Sequence, residues 1–162
     1  VTLTFEQAQT PEDVAAVRAL FVEYADGLKV DLCFQGFAAE LRDLPGDYAA
    51  PRGRLILARR DGEPVGCVGL RPIDASVAEL KRLYVRPAAR GLGLGKRLTE
   101  LAIDAARAIG YHAVVLDTLA TMTEAHRLYA ALGFHETAPY YVNPLPGVRY
   151  LRLALQAETV RS

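Results

Sequence analysis

The sequence predicts a mixed α/β domain in which a mostly antiparallel central sheet carries helices on both faces. Three observations predict it. Residues 54–85 read as an antiparallel meander of apolar strands; the last of these, ending at Val85, runs into a glycine-rich turn and an amphipathic helix; and strand-like and helical segments alternate around that unit. With 162 residues, 51% of them hydrophobic, the chain is expected to form one domain over 1–162. A chain of that size buries roughly 70% of its unfolded surface.

Leu3–Ala8 reads as the first strand. Thr10-Pro11-Glu12-Asp13 has the marks of a helix start, with Thr in the cap position, Pro at N1 and acids in the first turn. Val14, Val17, Leu20, Phe21 and Tyr24 then recur at helical spacing. A second amphipathic segment runs from about Phe34 to Leu44, with Phe37, Leu41 and Leu44 on one side, and Pro45-Gly46 stops it. These two helices are placed to cover one end of the sheet. Arg54–Arg60 and Glu63–Leu70 are strands joined by Asp61-Gly62, whose easy access to positive φ favours a tight hairpin. A third strand, Glu79–Val85, follows a turn over 72–76. The next helix spans Gly93–Ile109, with Leu94, Leu98, Leu101, Ala105 and Ile109 as its apolar stripe and Gly110 as its C-terminal cap. Ala113–Asp117 is a buried strand. Thr121 and Glu124 have capping-box spacing for a short helix through Tyr129 to Leu132, ended by Gly133, and Tyr150–Leu155 alternates as the last strand.

Nineteen basic and nineteen acidic residues cancel, so the net charge makes no case for nucleic acid or an anionic membrane as partner. No apolar run approaches the roughly 18 residues of a membrane span, and Val1-Thr2-Leu3-Thr4-Phe5 does not open a signal peptide. A cytoplasmic protein is the expectation. Cys33 and Cys67 stand far apart and outside any C-x-x-C pattern, which suits two buried small hydrophobes better than a disulfide or zinc site. His112, His126 and His135 also lack ligand spacing, so no metal is expected.

Charge is instead local. Lys81, Arg82, Arg86, Arg90, Lys96 and Arg97 fall in a window, 81–97, that contains no acid. Within it, Arg90-Gly91-Leu92-Gly93-Leu94-Gly95-Lys96 has the chemistry of a phosphate cradle: glycines let successive N–H groups converge on an anion, and the following helix adds its free N-terminal donors. Tight turns alone would also use such glycines. A Walker loop fails on spacing, since Arg90 and Arg97 stand where it needs Gly and Ser or Thr, and a dinucleotide fingerprint starting at Gly91 would need glycine where Lys96 stands.

What remains, Arg90-Gly91-Leu92-Gly93-Leu94-Gly95 after Leu83-Tyr84-Val85 and Pro87, resembles the R/Q-x-x-G-x-G/A signature of the GNAT superfamily of acyl-CoA-dependent N-acetyltransferases. Downstream, Ala125, Leu128-Tyr129 and Leu132-Gly133-Phe134 resemble the family's second block, and the likeness extends from Arg54 to Leu155. The resemblance implies the GNAT fold and acetyl-CoA as cosubstrate, its pyrophosphate on the backbone of Arg90, Gly91, Leu92, Gly93, Leu94, Gly95 and Lys96. It also implies that the pantetheine arm pairs with Leu83 and Val85. Tyr129 matches the family tyrosine that serves the departing sulfur as general acid, and Glu79 stands where some members carry a general-base glutamate; surface pairing with Lys81 or an arginine is the other reading of Glu79. Met122 replaces a common asparagine that contacts the CoA arm, with Thr121 or Thr123 as substitutes. A covalent route through Cys67 is disfavoured, because no histidine is near it in sequence.

The expected reaction is direct transfer of acetyl to a primary amine of a small molecule. A protein lysine or N-terminal acetyltransferase and a non-catalytic acyl-CoA-binding module are the alternatives. Phe34, Gln35, Tyr48, Tyr140, Tyr141 and Asn143 are candidates for the acceptor site, and Arg71 and Arg82 for a carboxylate on it. The sequence leaves a homodimer open, with Leu145, Val148 and Tyr150 able to pair across it.

Overall fold

The computed structural model describes residues 1–28, 32 and 36–155. Cys33, Phe34, Gln35 and the expected start of the second helix lie outside these residues. Seven strands form one sheet in the order β1-β2-β3-β4-β5-β7-β6. They are β1 (Leu3–Gln7), β2 (Arg54–Arg60), β3 (Glu63–Pro72), β4 (Val77–Val85), β5 (Ala113–Thr118), β6 (His135–Glu136) and β7 (Arg149–Ala154). All neighbours are antiparallel except β4 and β5. The helices are α1 (Pro11–Leu28), α2 (Phe37–Asp43), α3 (Leu94–Ile109) and α4 (Thr123–Ala131).

Alternation along β2 divides the interior. Leu55 and Leu57 join Val17, Leu20 and Phe21 of α1 under one face, while Ile56 and Ala58 pack with Leu98, Ala102 and Ile103 of α3 and Tyr129 of α4 under the other. Each fully buried Leu or Phe contributes about 1.5–3 kcal/mol, so the period-2 pattern of β2 and the helical stripes must agree in register. The expected helices on both faces are therefore present. The hairpin turn is as expected: Asp61 and Gly62 both have positive φ, at 51° and 88°. The α1 cap is made as well, with Asp13 N–H donating to Thr10 Oγ1 at 3.1 Å.

Two details differ from expectation. The α3 stripe is broader: Ala102, Ile103 and Ala106 are buried with Leu94 and Leu98, while Leu101, Ala105 and Ile109 are half-buried, because a helix lying on a twisted sheet buries a wide band. At α4, Thr121 makes no cap, because a turn closes first. Met122 N–H donates to Leu119 C=O at 3.0 Å and Met122 Sδ accepts from Leu119 N–H at 3.5 Å, so the helix starts at Thr123. Gly133, at φ 100°, ends it as expected.

The feature that positions the site is in β4. Opposite Val68 the register with β3 slips by one residue, between Cys67↔Tyr84 and Gly69↔Lys81, and Arg82 sits there at φ 61°. This is a bulge with an arginine in the left-handed region, a conformation that needs outside support. The support is Glu40 of α2, which accepts from Arg82 Nε at 3.0 Å and Nη2 at 2.9 Å, with both side chains buried. On its other edge β4 pairs with β5 only from Val77↔Ala113 to Glu79↔Val115. Beyond Glu79 the two parallel strands part and leave the end of β4 open. No helix among the described residues is long and apolar enough to cross a membrane.

Candidate functional site

The glycine turn leaves β4 through Pro87–Ala89, and α3 begins at Leu94 with Gly93 as N-cap. Gly91 and Gly93 have φ of 88° and 76°, and a Cβ on either would meet nothing within 4 Å. These glycines are required by backbone conformation, not by crowding. The first helical bond of α3 is Arg97 N–H to Gly93 C=O at 3.1 Å, so the N–H groups of residues 94–96 precede the helical ladder and point outward, the arrangement that binds phosphate. Gly91, Leu92, Gly93, Arg90 and Lys96 are exposed, and Arg90 Nε donates to Val85 C=O at 3.1 Å, which ties the cradle to the end of β4.

From the cradle an open groove of about 700 Å³ follows the unpaired edge of β4. Leu83, Tyr84, Val85, Arg90 and Gly95 line one wall, and Thr121, Met122, Thr123 and Leu128 of the α4 region another. The two threonines named as substitutes for the missing asparagine thus border the groove. Tyr24, Leu28, Leu83, Met122 and Ala125 also line a smaller inner cavity of about 70 Å³, which continues where β4 and β5 part. Tyr129, Lys81, Arg82 and Asp117 are on the wall of this inner cavity. Tyr129 is 5% exposed, and burial, reinforced by the charges of Tyr24 and Asp117, pushes its phenol well above the ordinary range. Its ring packs on Phe134 at 5.5 Å. Burial likewise raises the Tyr24 phenol to about 12 and lowers the Lys81 ammonium, the latter against the opposing charge of Glu79.

Glu79 is brought near but not into this space. It is 1% exposed, lines neither cavity, and is held by Arg71 Nε at 2.9 Å on Oε1 and by Tyr140 OH at 2.6 Å and Lys81 Nζ at 3.8 Å on Oε2. Its charged partners are thus Lys81 and an arginine, in a buried setting and not at the surface. Asp117, at the end of β5, accepts from Tyr141 OH and from Asn143 Nδ2 at 2.9 Å. Sequence reasoning did not single out Asp117, nor Tyr24 or Lys81 for the inner cavity. The available signal was topological, since ligands of open α/β sheets gather where parallel strands end.

Of the acceptor candidates, Tyr140, Tyr141 and Asn143 hold Glu79 and Asp117 in this way, while Tyr48 is buried and donates to Glu40 at 2.9 Å. Arg82 is consumed by Glu40. Arg71 lines a separate pocket with Glu40, Asp43, Asp47 and Tyr48. The Cys67 thiol is buried and donates to Arg82 C=O at 3.5 Å; burial pushes it far up, so it makes no nucleophile. Tyr150 is used within the chain, its ring against Tyr140 and Tyr141 and its hydroxyl on Tyr141 C=O at 2.9 Å. Among the described residues no three His, Cys, Asp or Glu side chains are grouped to hold a metal.

Residues 16–134 match the Acetyltransferase (GNAT) family. An uncharacterised N-acetyltransferase of Schizosaccharomyces pombe is 39% identical over 155 residues, 94% of this chain and 95% of that protein. Among solved structures, an acetyltransferase from Streptococcus agalactiae superposes with TM-score 0.78 at 22% identity, covering 94% of this chain and 98% of the other. A putative acetyltransferase of Salmonella typhimurium, solved with acetyl-CoA, gives TM-score 0.69 at 22% identity over 100% of this chain and 99% of that one. At such identities these two likenesses speak for the fold.

Proposed function

Because this chain belongs to the GNAT acetyltransferase family and is an acyl-CoA-dependent acetyltransferase, we propose that it transfers acetyl from acetyl-CoA directly to a primary amine of a small molecule in a ternary complex. The observation that carries this reading is continuity. A phosphate cradle opens into a groove along a free strand edge, and that groove shares a wall with a cavity bordered by Tyr129. The backbone of residues 90–96 takes the pyrophosphate, and the open edge at Leu83 and Val85 takes the pantetheine amides. Val85 C=O already accepts from Arg90, which leaves the N–H groups and Leu83 C=O as the natural partners.

In the reaction the amine nitrogen adds to the thioester carbonyl carbon, the carbon–sulfur bond breaks, and the sulfur takes a proton. Tyr129 supplies it. A phenol raised by burial is fully protonated at neutral pH, and it regains its proton from the nitrogen as the amide forms. Glu79, held by three partners, acts as the anchor of Lys81, Arg71 and Tyr140 on the acceptor side. The slender inner cavity, walled by Lys81 and Asp117, suits a small polar amine. The test is calorimetric titration with acetyl-CoA, followed by a panel of amino acids, polyamines and lysine peptides read by release of free CoA. Saturable binding with fastest turnover of a free small amine is expected. Faster turnover of lysine peptides would replace the acceptor class, binding without turnover would make the chain a binding module, and absence of binding would overturn the reading.

A further inference from the structure

We propose that Asp117 is the base of this reaction, the carboxylate that takes the proton from the acceptor's ammonium before its nitrogen attacks; the assignment rests on the acetyl-transfer reading above. An alkyl amine is mostly protonated at neutral pH, so a proton must leave it inside the site. The carboxylates of β4 and β5 divide on geometry. Glu79 lies at the last paired position of the two strands, opposite Val115, and is closed off there. Asp117 lies two residues further along β5, past the point where the strands part, and borders the inner cavity together with Tyr129.

Its hydrogen bonds leave it available. Tyr141 and Asn143 both donate to Oδ2, and among the described residues Oδ1 accepts no hydrogen bond. One oxygen is therefore fixed by the loop before β7 while the other is left for the N–H of an incoming ammonium. Glu79 has no such oxygen, because Arg71 holds one and Tyr140 with Lys81 the other. Using Glu79 as base would break a buried charge network, whereas using Asp117 requires only that the amine reach Oδ1.

The groups facing Asp117 fit this role. Lys81 and Arg82 come from β4, Tyr24 from α1, Tyr129 from α4, and Tyr140, Tyr141 and Asn143 from the loop before β7. The charge of Asp117 bears on Tyr24, Lys81, Tyr129 and Tyr140. An ammonium entering the inner cavity stands beside the Lys81 cation on the same wall, and that repulsion favours the loss of its proton. The balance is complete: the ammonium gives one proton to Asp117, which releases it to water; the lone pair so freed forms the carbon–nitrogen bond as the carbon–sulfur bond breaks; the sulfur leaves with the Tyr129 proton, and the second nitrogen proton returns to Tyr129.

The test compares Asp117→Asn and Glu79→Gln with wild type over pH 6 to about 10, using the fastest acceptor from the amine panel, with acetyl-CoA affinity and thermal unfolding as controls. Asp117→Asn is expected to lose about 10²–10³-fold in kcat/KM near neutrality with acetyl-CoA affinity within about threefold of wild type. Its residual rate should climb about tenfold per pH unit as the neutral amine becomes available from solution. An isosteric residue that merely anchored Tyr141 and Asn143 would give no such alkaline recovery. Glu79→Gln, which loosens Arg71, Lys81 and Tyr140, should lose stability and rate at every pH without an alkaline recovery of its own. Where Asp117→Asn does not fold, Asp117→Ser is read in the same way. Wild-type rate and profile in the Asp117 variant, or alkaline recovery in Glu79→Gln instead, overturns the assignment. Failure of the wild-type protein to acetylate any amine overturns the acetyl-transfer reading beneath it.

Discussion

Gly93→Glu separates the binding function proposed for the cradle from its role in the fold. The residue is the N-cap of α3 at φ 76° and ψ 16°, with nothing within 4 Å of an added Cβ, so no clash enters the account. A side chain in the left-handed region costs about 1 kcal/mol, and a carboxylate at a helix N-terminus returns about half of that through the free N–H groups, so the folded protein should lose under about 1 kcal/mol. Binding is affected differently. The new charge would stand among donors meant for phosphate, and each pair of like charges about 4 Å apart costs from about 1 kcal/mol in water to about 4 near a protein surface. Two phosphate charges at the exposed end of that range weaken acetyl-CoA by about 2–3 kcal/mol, roughly 30- to 100-fold in Kd. Gly93→Ala is the control, with the backbone cost but no charge, and should change affinity by less than about fivefold. Calorimetry with acetyl-CoA and urea unfolding of the same preparations measure the two quantities. Gly93→Glu binding within about threefold of wild type would refute the placement of phosphate at this helix end.

Tyr129→Phe keeps the ring contact with Phe134 and removes the proposed proton donor, so steady-state kinetics should show kcat down about 10²-fold or more with acetyl-CoA affinity unchanged. Glu40→Gln strips the charge from a carboxylate that holds the bulge arginine, and should cost about 3–5 kcal/mol in urea unfolding. It should also alter the acid limb of stability. Burial alone would raise the Glu40 carboxyl, but the Arg82 hydrogen bonds and charge outweigh it and hold it below its ordinary 4.5. A depressed folded value means that the contribution is present above 4.5 and lost as pH falls through the folded value, so in Glu40→Gln the stability curve should be flatter below pH 4.5. Gly69→Ala would place its Cβ 2.5 Å from Cε1 of the buried Tyr48 ring, and overpacking of that kind should cost about 1–3 kcal/mol of thermal or urea stability.

What was legible in the sequence was written in neighbouring residues. Asp61-Gly62, Thr10-Pro11, Gly110 and Gly133 each answer a local backbone demand, and each stands where it was expected. The glycine turn before α3 belongs with them, since Gly91 and Gly93 serve their own φ angles. Contacts across long separations were not legible. Arg82 reads as one more base in a cationic window, yet its left-handed backbone is held by a carboxylate 42 residues away. Glu79 looked like a base because of its distance from Val85, but Arg71 and Tyr140, the latter 61 residues on, close it off. Asp117 looked like the tail of a buried strand, and only the parting of β4 from β5 gives it a cavity to face. These three share one cause. The bulge re-aims the second half of β4, the strand edge it leaves open needs an occupant, and the carboxylates are sorted by which side of the parting they fall on. Removing Glu40 should therefore reach the groove along β4 through the bulge, although Glu40 lines neither that groove nor the inner cavity.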